Sequence, residues 1–177
     1  NSLHALIDLF LYWDVPEYAN MYASEAIQVE QTMTMDNPMV SAQTYINKGR
    51  ALQQLGLLDS VSFYTLKARG LCSSLPYNSG MVDVDLLHGT LLTENGGDSL
   101  LVGVQELQNV TCQGTDINRA KAYHQLAQTY LKNDQWAMAE EMLDSMYFLL
   151  TKYETPTYIQ INYEPILSYY LKNKNND

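Results

Sequence analysis

The chain has 177 residues, 46% hydrophobic and 17% charged, with five prolines and two cysteines. That is enough apolar content for a continuous core, and it excludes disordered and collagen-like chains. The formal charge is −10, and no Lys or Arg occurs before Lys48 or between Arg69 and Arg119, so the clustered cations that grip nucleic-acid backbones or anionic lipid are missing.

In chain order, apolar residues at helical spacing predict helices over 2–13, 16–31, 38–55, 60–74, 82–94, 99–110, 116–133, 136–152 and 156–173, with turns between them marked by Pro and Gly. Strand alternation is nearly absent. Pro16, Pro38 and Pro156 fall at helix starts, where a missing N–H costs nothing. Pro165 falls inside the ninth helix and is expected to kink it or delay its start. No apolar run is long enough to span a bilayer. Surface polarity comes from 13 Asn, 12 Gln and 14 Tyr in place of charge. Cys72 and Cys112 are too few for a disulfide scaffold and are expected to be buried or half-buried thiols near the ends of second helices.

Superimposing the helices two by two reveals a repeat. Tyr123, Leu126, Ala127 and Tyr130 are followed after a turn by Trp136, Ala139, Leu143 and Met146. Tyr45, Gly49, Leu52 and Gly56 are followed by Leu58, Val61 and Ala68, and Gly89, Leu92 and Gly96 keep the same spacing. Leu3, Ile7, Phe10, Ala19, Ala23 and Ala26 make a first repeat, and Tyr163, Leu167 and Tyr170 a last one. This pattern resembles the tetratricopeptide repeat, in which a large residue, a small one four positions on and another large one three further on mark the first helix. The aligned positions Ile7, Gly49, Gly89, Ala127 and Leu167 are 38 to 42 residues apart, longer than the roughly 34 of the standard motif. The closing proline of that motif is absent. The expected fold is all-α: a right-handed α–α superhelix of about 4.5 helix pairs with a period near 40, in a single domain 1–177. Its repeats would run over about 1–36, 37–78, 79–114 and 115–154, with a half repeat at 155–177. Ending on a half repeat, the chain reads as a piece of a longer polypeptide.

Signatures of catalysis are missing. His4, His88 and His124 have no metal-ligand spacing, no glycine-rich loop joins a strand to a helix, and no nucleophile elbow occurs. Asp83-x-Asp85 and Glu140-Glu141 read as solvated carboxylates facing different ways. Neither a catalytic residue, a metal nor a cofactor is expected.

In a superhelix the first helix of each pair lines the concave side. That projection selects Asp8, Tyr12, Gln43, Asn47, Arg50, Gln53, Gln54, Thr90, Glu94, Lys121, His124, Gln128 and Lys132 as a partner-binding face, with His4, Ile46 and Leu86 on the same side. Amides and isolated charges suit hydrogen bonding to a peptide. Asn47 and Arg50 echo the clamp by which related repeats hold acidic chaperone tails, but Ile46 and Leu86 stand where that clamp needs polar groups. Trp136 is expected to fill a turn, Trp13 to cap the first pair or to pack on a preceding segment, and Met33, Met35 and Met39 to act as adaptable filler.

The resemblance implies a non-enzymatic module that binds a protein, a peptide or another domain of its own chain, as the sensing or scaffolding part of a larger bacterial regulator. The alternative is a glycan or small-ligand binder similar to the helical-repeat proteins of carbohydrate uptake. There, exposed aromatic platforms are needed, and Tyr12 and Tyr153 are the residues expected to supply them. Few Lys and Arg with many Asn and Tyr favour a periplasmic or exported location over a cytoplasmic one.

Overall fold

A computed structural model describes residues 2–32, 37–75 and 80–152. These form eight α-helices and no strand: α1 (Ser2–Tyr12), α2 (Pro16–Thr32), α3 (Pro38–Gln54), α4 (Leu58–Ser73), α5 (Met81–Asn95), α6 (Leu100–Gln113), α7 (Asp116–Lys132) and α8 (Trp136–Lys152), with a single 3₁₀ turn, Gly97–Ser99, before α6. Each end lies within three residues of the position expected from periodicity. The ninth helix, with Pro156, Pro165, Tyr163, Leu167 and Tyr170, lies outside the described residues, as do Tyr153, Met33 and Met35.

Local chemistry sets the starts. Pro16 and Pro38 are the first residues of α2 and α3, where an N–H would have no helical partner. Asn37 caps α3 by accepting from the Met39 and Val40 amides at 3.2 and 3.3 Å, and Thr115 caps α7 through the Asn118 amide at 3.3 Å.

The chain divides into two units, Asn1–Leu91 and Leu92–Asp177. In the first, α1 packs on α2, α2 on α3, α3 on α4, and α1 also touches α3. In the second, α6 packs on α7 and α7 on α8.

One turn recurs through both. Asp14, Gly56, Gly96 and Asp134 all have left-handed backbone, with φ of 55°, 71°, 67° and 56°. Each stands seven residues after one of Ile7, Gly49, Gly89 and Ala127, the aligned positions of the repeat. In three of the four turns the next amide closes the helix end on a carbonyl five residues back: Val15 on Phe10, Leu57 on Leu52 and Gln135 on Tyr130, each at 2.9 Å. This is the Schellman closure, which satisfies carbonyls left over at a helix terminus. At the Gly96 turn a second left-handed residue, Gly97, feeds the 3₁₀ turn instead.

Packing at the aligned positions is a matter of volume. In the first pair a large Ile7 is matched by Ala19, Ala23 and Ala26 on α2, all buried. In the second the small partner is Gly49 itself: a Cβ there would lie 2.6 Å from Leu87 Cδ2 and 3.8 Å from Thr65 Oγ1. Without a side chain, α3 lies close to both α4 and α5. In the last pair Ala120 and Ala127 on α7 receive Leu143, Met146, Leu149 and Leu150 of α8. Interiors filled to crystal-like density tolerate exchange of large and small across a contact, but not two large residues.

Gly49→Leu should therefore lower stability by about 2 kcal/mol. Gly70→Ala, in α4 where an added Cβ meets nothing within 4 Å, should raise it by about 1 kcal/mol through helix propensity. Denaturant melts followed by circular dichroism check both signs.

Candidate interaction surface

The residues expected to line a recognition face fall in both units. In the first unit they fall on α1, α3 and α5, and a chain of side-chain bonds joins those helices. Asn47 Nδ2 donates to Asp8 Oδ1 at 3.2 Å, and its Oδ1 accepts from Gln43 Nε2 at 3.0 Å and from the Arg50 guanidinium at 3.4 Å. The other arm of Arg50 donates to Asp83 Oδ1 at 2.6 Å. One polar line thus runs from α1 through α3 to α5. Asp8, Tyr12 and Gln54 are exposed along it, and Gln43, Arg50, Gln53 and Thr90 are half-buried. The Thr90 hydroxyl is turned back onto the Leu86 carbonyl at 2.7 Å.

Asn47 departs from expectation: it is fully buried. So are Ile46 and, nearly so, Leu86, which belong to the core of the unit and not to an open face. The cause is the position of α3, which touches α1, α2 and α4 and reaches α5 through Gly49 and Arg50. Ile46, Asn47, Lys48 and Gly49 are four consecutive buried residues, more than a helix with one apolar stripe would bury.

A second polar cluster lies on the α2–α3 side. Thr44, also buried, donates its hydroxyl proton to Glu30, so His4 Nε2, 2.7 Å away, is the donor to the Thr44 oxygen. Lys48 Nζ reaches the Asn20 carbonyl at 2.9 Å and Ser24 Oγ at 2.5 Å, and burial holds its pKa below the usual lysine value. Burial first, then the charge of Glu30, raises that of Tyr45.

Asp83 and Asp85 do face different ways, but they are not merely solvated. Asp83 pairs with Arg50, and Asp85 with Arg69 of α4 at 3.1 Å. Arg69 also reaches His88 Nδ1 at 3.2 Å, which places the ring proton on Nε2. α5 is held by an arginine on each flank. Two arginines in a segment with so few cations were the available signal for these partners.

In the second unit Glu94 and Lys132 are exposed, and Lys121, His124 and Gln128 are half-buried. Burial depresses the His124 pKa to about 4, so this ring is neutral at pH 7. Unforeseen here is a buried bond from Gln125 Nε2 to Thr93 Oγ1 at 3.0 Å, which ties α7 to the last turn of α5. A cleft between α7 and α8 is lined by Arg119, Tyr123, Asp144, Ser145, Phe148 and Leu149.

The cysteines differ. Cys72 is buried and its thiol pKa is raised by desolvation, whereas Cys112 is exposed where partial burial was expected; both are free thiols. Trp13 and Trp136 are each 58% exposed. Trp136 is the first residue of α8, with its ring outside the turn it was expected to fill. Met39 is exposed as well. Among the described residues no cluster of three or more His, Cys, Asp or Glu is arranged to hold a metal, and no helix is long and apolar enough to cross a membrane.

The described residues are all-helical, with adjacent helices in contact within each unit, compatible with a helical repeat. Comparison with family models, with curated proteins and with solved structures returned no match.

Two measurements follow. A double-mutant cycle with Arg50→Met and Asp83→Asn should return a coupling of about 1 kcal/mol that shrinks as salt is added, since both side chains are partly exposed. For His124, the unfolded chain takes up a proton near pH 6.5 and the folded chain only near pH 4. Stability is therefore full above pH 6.5 and falls by about 2–3 kcal/mol as pH drops toward 4. His124→Gln should flatten that part of the stability–pH profile.

Proposed function

We propose that the chain is a non-enzymatic interaction module built of tetratricopeptide-like repeats, in a right-handed superhelix with a period near 40. It binds a protein or peptide segment, or another domain of its own chain, as the sensing or scaffolding part of a longer regulator. The observation that supports this reading is the bond chain Asp8–Asn47–Arg50–Asp83, which sets the first helices of three successive pairs side by side. That row of first helices is the surface such arrays use for recognition. The bonds tie the row together, while Asp8, Tyr12 and Gln54 stand exposed at its solvent edge, with polar groups of the kind that hydrogen-bond a peptide backbone. A pre-organised row loses less entropy on binding than one that must order itself.

Glycan binding is the second reading. The exposure of Trp13 and Trp136 favours it, because ring faces open to solvent are what sugar stacking requires.

Selection of a displayed random-peptide library on the immobilised protein tests the first. Enriched peptides should bind saturably and lose at least tenfold in affinity on Tyr12→Ala or Gln54→Lys, with unchanged melting temperature. A library that yields no saturable peptide binder, or a hydrolytic or transfer activity abolished by one groove substitution without unfolding, would overturn it. Saturable binding of oligosaccharides with no selected peptide would establish the alternative.

A further inference from the structure

At the tip of the first pair, the α1–α2 turn gathers an aromatic cluster. Phe10 stacks on Tyr18 and Tyr22, with ring centroids 5.2 and 5.5 Å apart, and receives the edge of Trp13 at 6.2 Å. Phe10 and Tyr22 are half-buried, but Trp13 is 58% and Tyr18 52% exposed. Rings of this size left open to solvent forgo a large part of their transfer free energy. The turn also carries two exposed carboxylates, Asp14 directly after Trp13 and Glu17 directly before Tyr18.

The neighbouring pair shows how this protein completes such a cluster. There Tyr45, Phe63 and Tyr64 pack together, and the chain supplies its own cations: Lys67 Nζ lies 4.5 Å from the Phe63 centroid and 5.4 Å from that of Tyr45, with Lys48 Nζ 5.9 Å from Tyr64. The first pair has the rings and the acids but no Lys or Arg of its own, the first in the chain being Lys48. The four cations of residues 1–91 are engaged elsewhere: Lys48 on α2 carbonyl and hydroxyl oxygens, Arg50 and Arg69 on Asp83 and Asp85, and Lys67 over Phe63 and Tyr45. Against them stand nine Asp and Glu.

We propose that the Trp13–Tyr18 face, flanked by Asp14 and Glu17, is a docking site for an arginine- or lysine-bearing peptide segment of a partner protein, whose cation lies over the exposed rings. This rests on the interaction-module reading and names the class of ligand. A guanidinium stacks flat on an aromatic face while its edge donates to carboxylates, and the negative field of the unit draws a cationic segment in and repels acidic ones.

The test follows Trp13 fluorescence in a Trp136→Phe background during titration with the acetylated, amidated peptide Gly-Arg-Gly-Arg-Gly-Arg, its citrulline counterpart and a cello-oligosaccharide. The arginine peptide should give a saturable change that weakens steadily with salt, the citrulline peptide at least tenfold weaker binding, and the sugar none. Tyr18→Ala should lower affinity for the arginine peptide at least tenfold, and Asp14→Asn with Glu17→Gln should lower it and flatten its salt dependence. Asn is the replacement for Asp14 because it tolerates the left-handed backbone there. Unchanged circular dichroism and melting temperature in each variant exclude unfolding. Equal binding of the arginine and citrulline peptides, or saturable binding of the sugar, would overturn the proposal. So would library peptides whose binding depends on Tyr12 and Gln54 but not on Tyr18, and that outcome would leave the module reading standing.

Discussion

A helix enclosed from several sides buries polar side chains along with apolar ones, and the middle of α3, from Ala42 to Leu52, is such a segment. Its backbone bonds are satisfied internally, but each polar side chain it carries must find a partner in the protein or cost more than it returns. Asn47, Thr44 and Lys48 all meet that condition, through Asp8, Gln43 and Arg50, through Glu30 and His4, and through Asn20 and Ser24. The contacts are specific in direction and length, so they fix where α1, α2 and α5 lie around α3 more sharply than apolar packing alone does. Gly49 serves the same end from the steric side, by letting α4 and α5 come close. The placement of the first unit's helices depends on this one element.

The scarcity of cations acquires a meaning from the same packing. In residues 1–91 each Lys and Arg is committed to the interior seams or to aromatic faces, leaving the acids of α1 and α2 without neighbours of opposite sign in their own pair. Net charge read from composition is diffuse. Once the cations are placed, the negative potential is concentrated on the first pair, where long-range steering acts on whatever approaches it.

The eight described helices and their ends were legible in the sequence because they are written in short-range chemistry: apolar spacing, Pro at first positions, Gly and Asp at turns. Ile7, Gly49 and Ala127 could be aligned before any coordinates because a small or complementary residue is demanded at the point of closest approach. The surface was less legible. Projecting a helix onto one buried and one open face suits an edge helix such as α1, and it placed Asp8 and Tyr12 correctly in solvent. It misplaced Asn47, Ile46 and Leu86, since a central helix is enclosed from several directions and no single-helix pattern records its neighbours. Asp83 and Asp85 were undervalued for a related reason: their partners, Arg50 and Arg69, are 33 and 16 residues away in the chain. Position beside a turn does not fix where Trp136 points, since a residue there can direct its ring outward as readily as inward.

The left-handed turn that follows Ile7, Gly49 and Ala127 has a consequence for how the chain reaches this state. Its closing bond spans five residues, as from Phe10 to Val15 or Tyr130 to Gln135, so each hairpin of helices is specified by sequence that is local to it. Contacts of such short range cost little loop-closure entropy. The helix pairs can therefore nucleate independently, and assembly can begin at any of them and spread to its neighbours. The α1–α2 pair could take shape once its own residues had left a ribosome, before the helices that follow it in the chain existed.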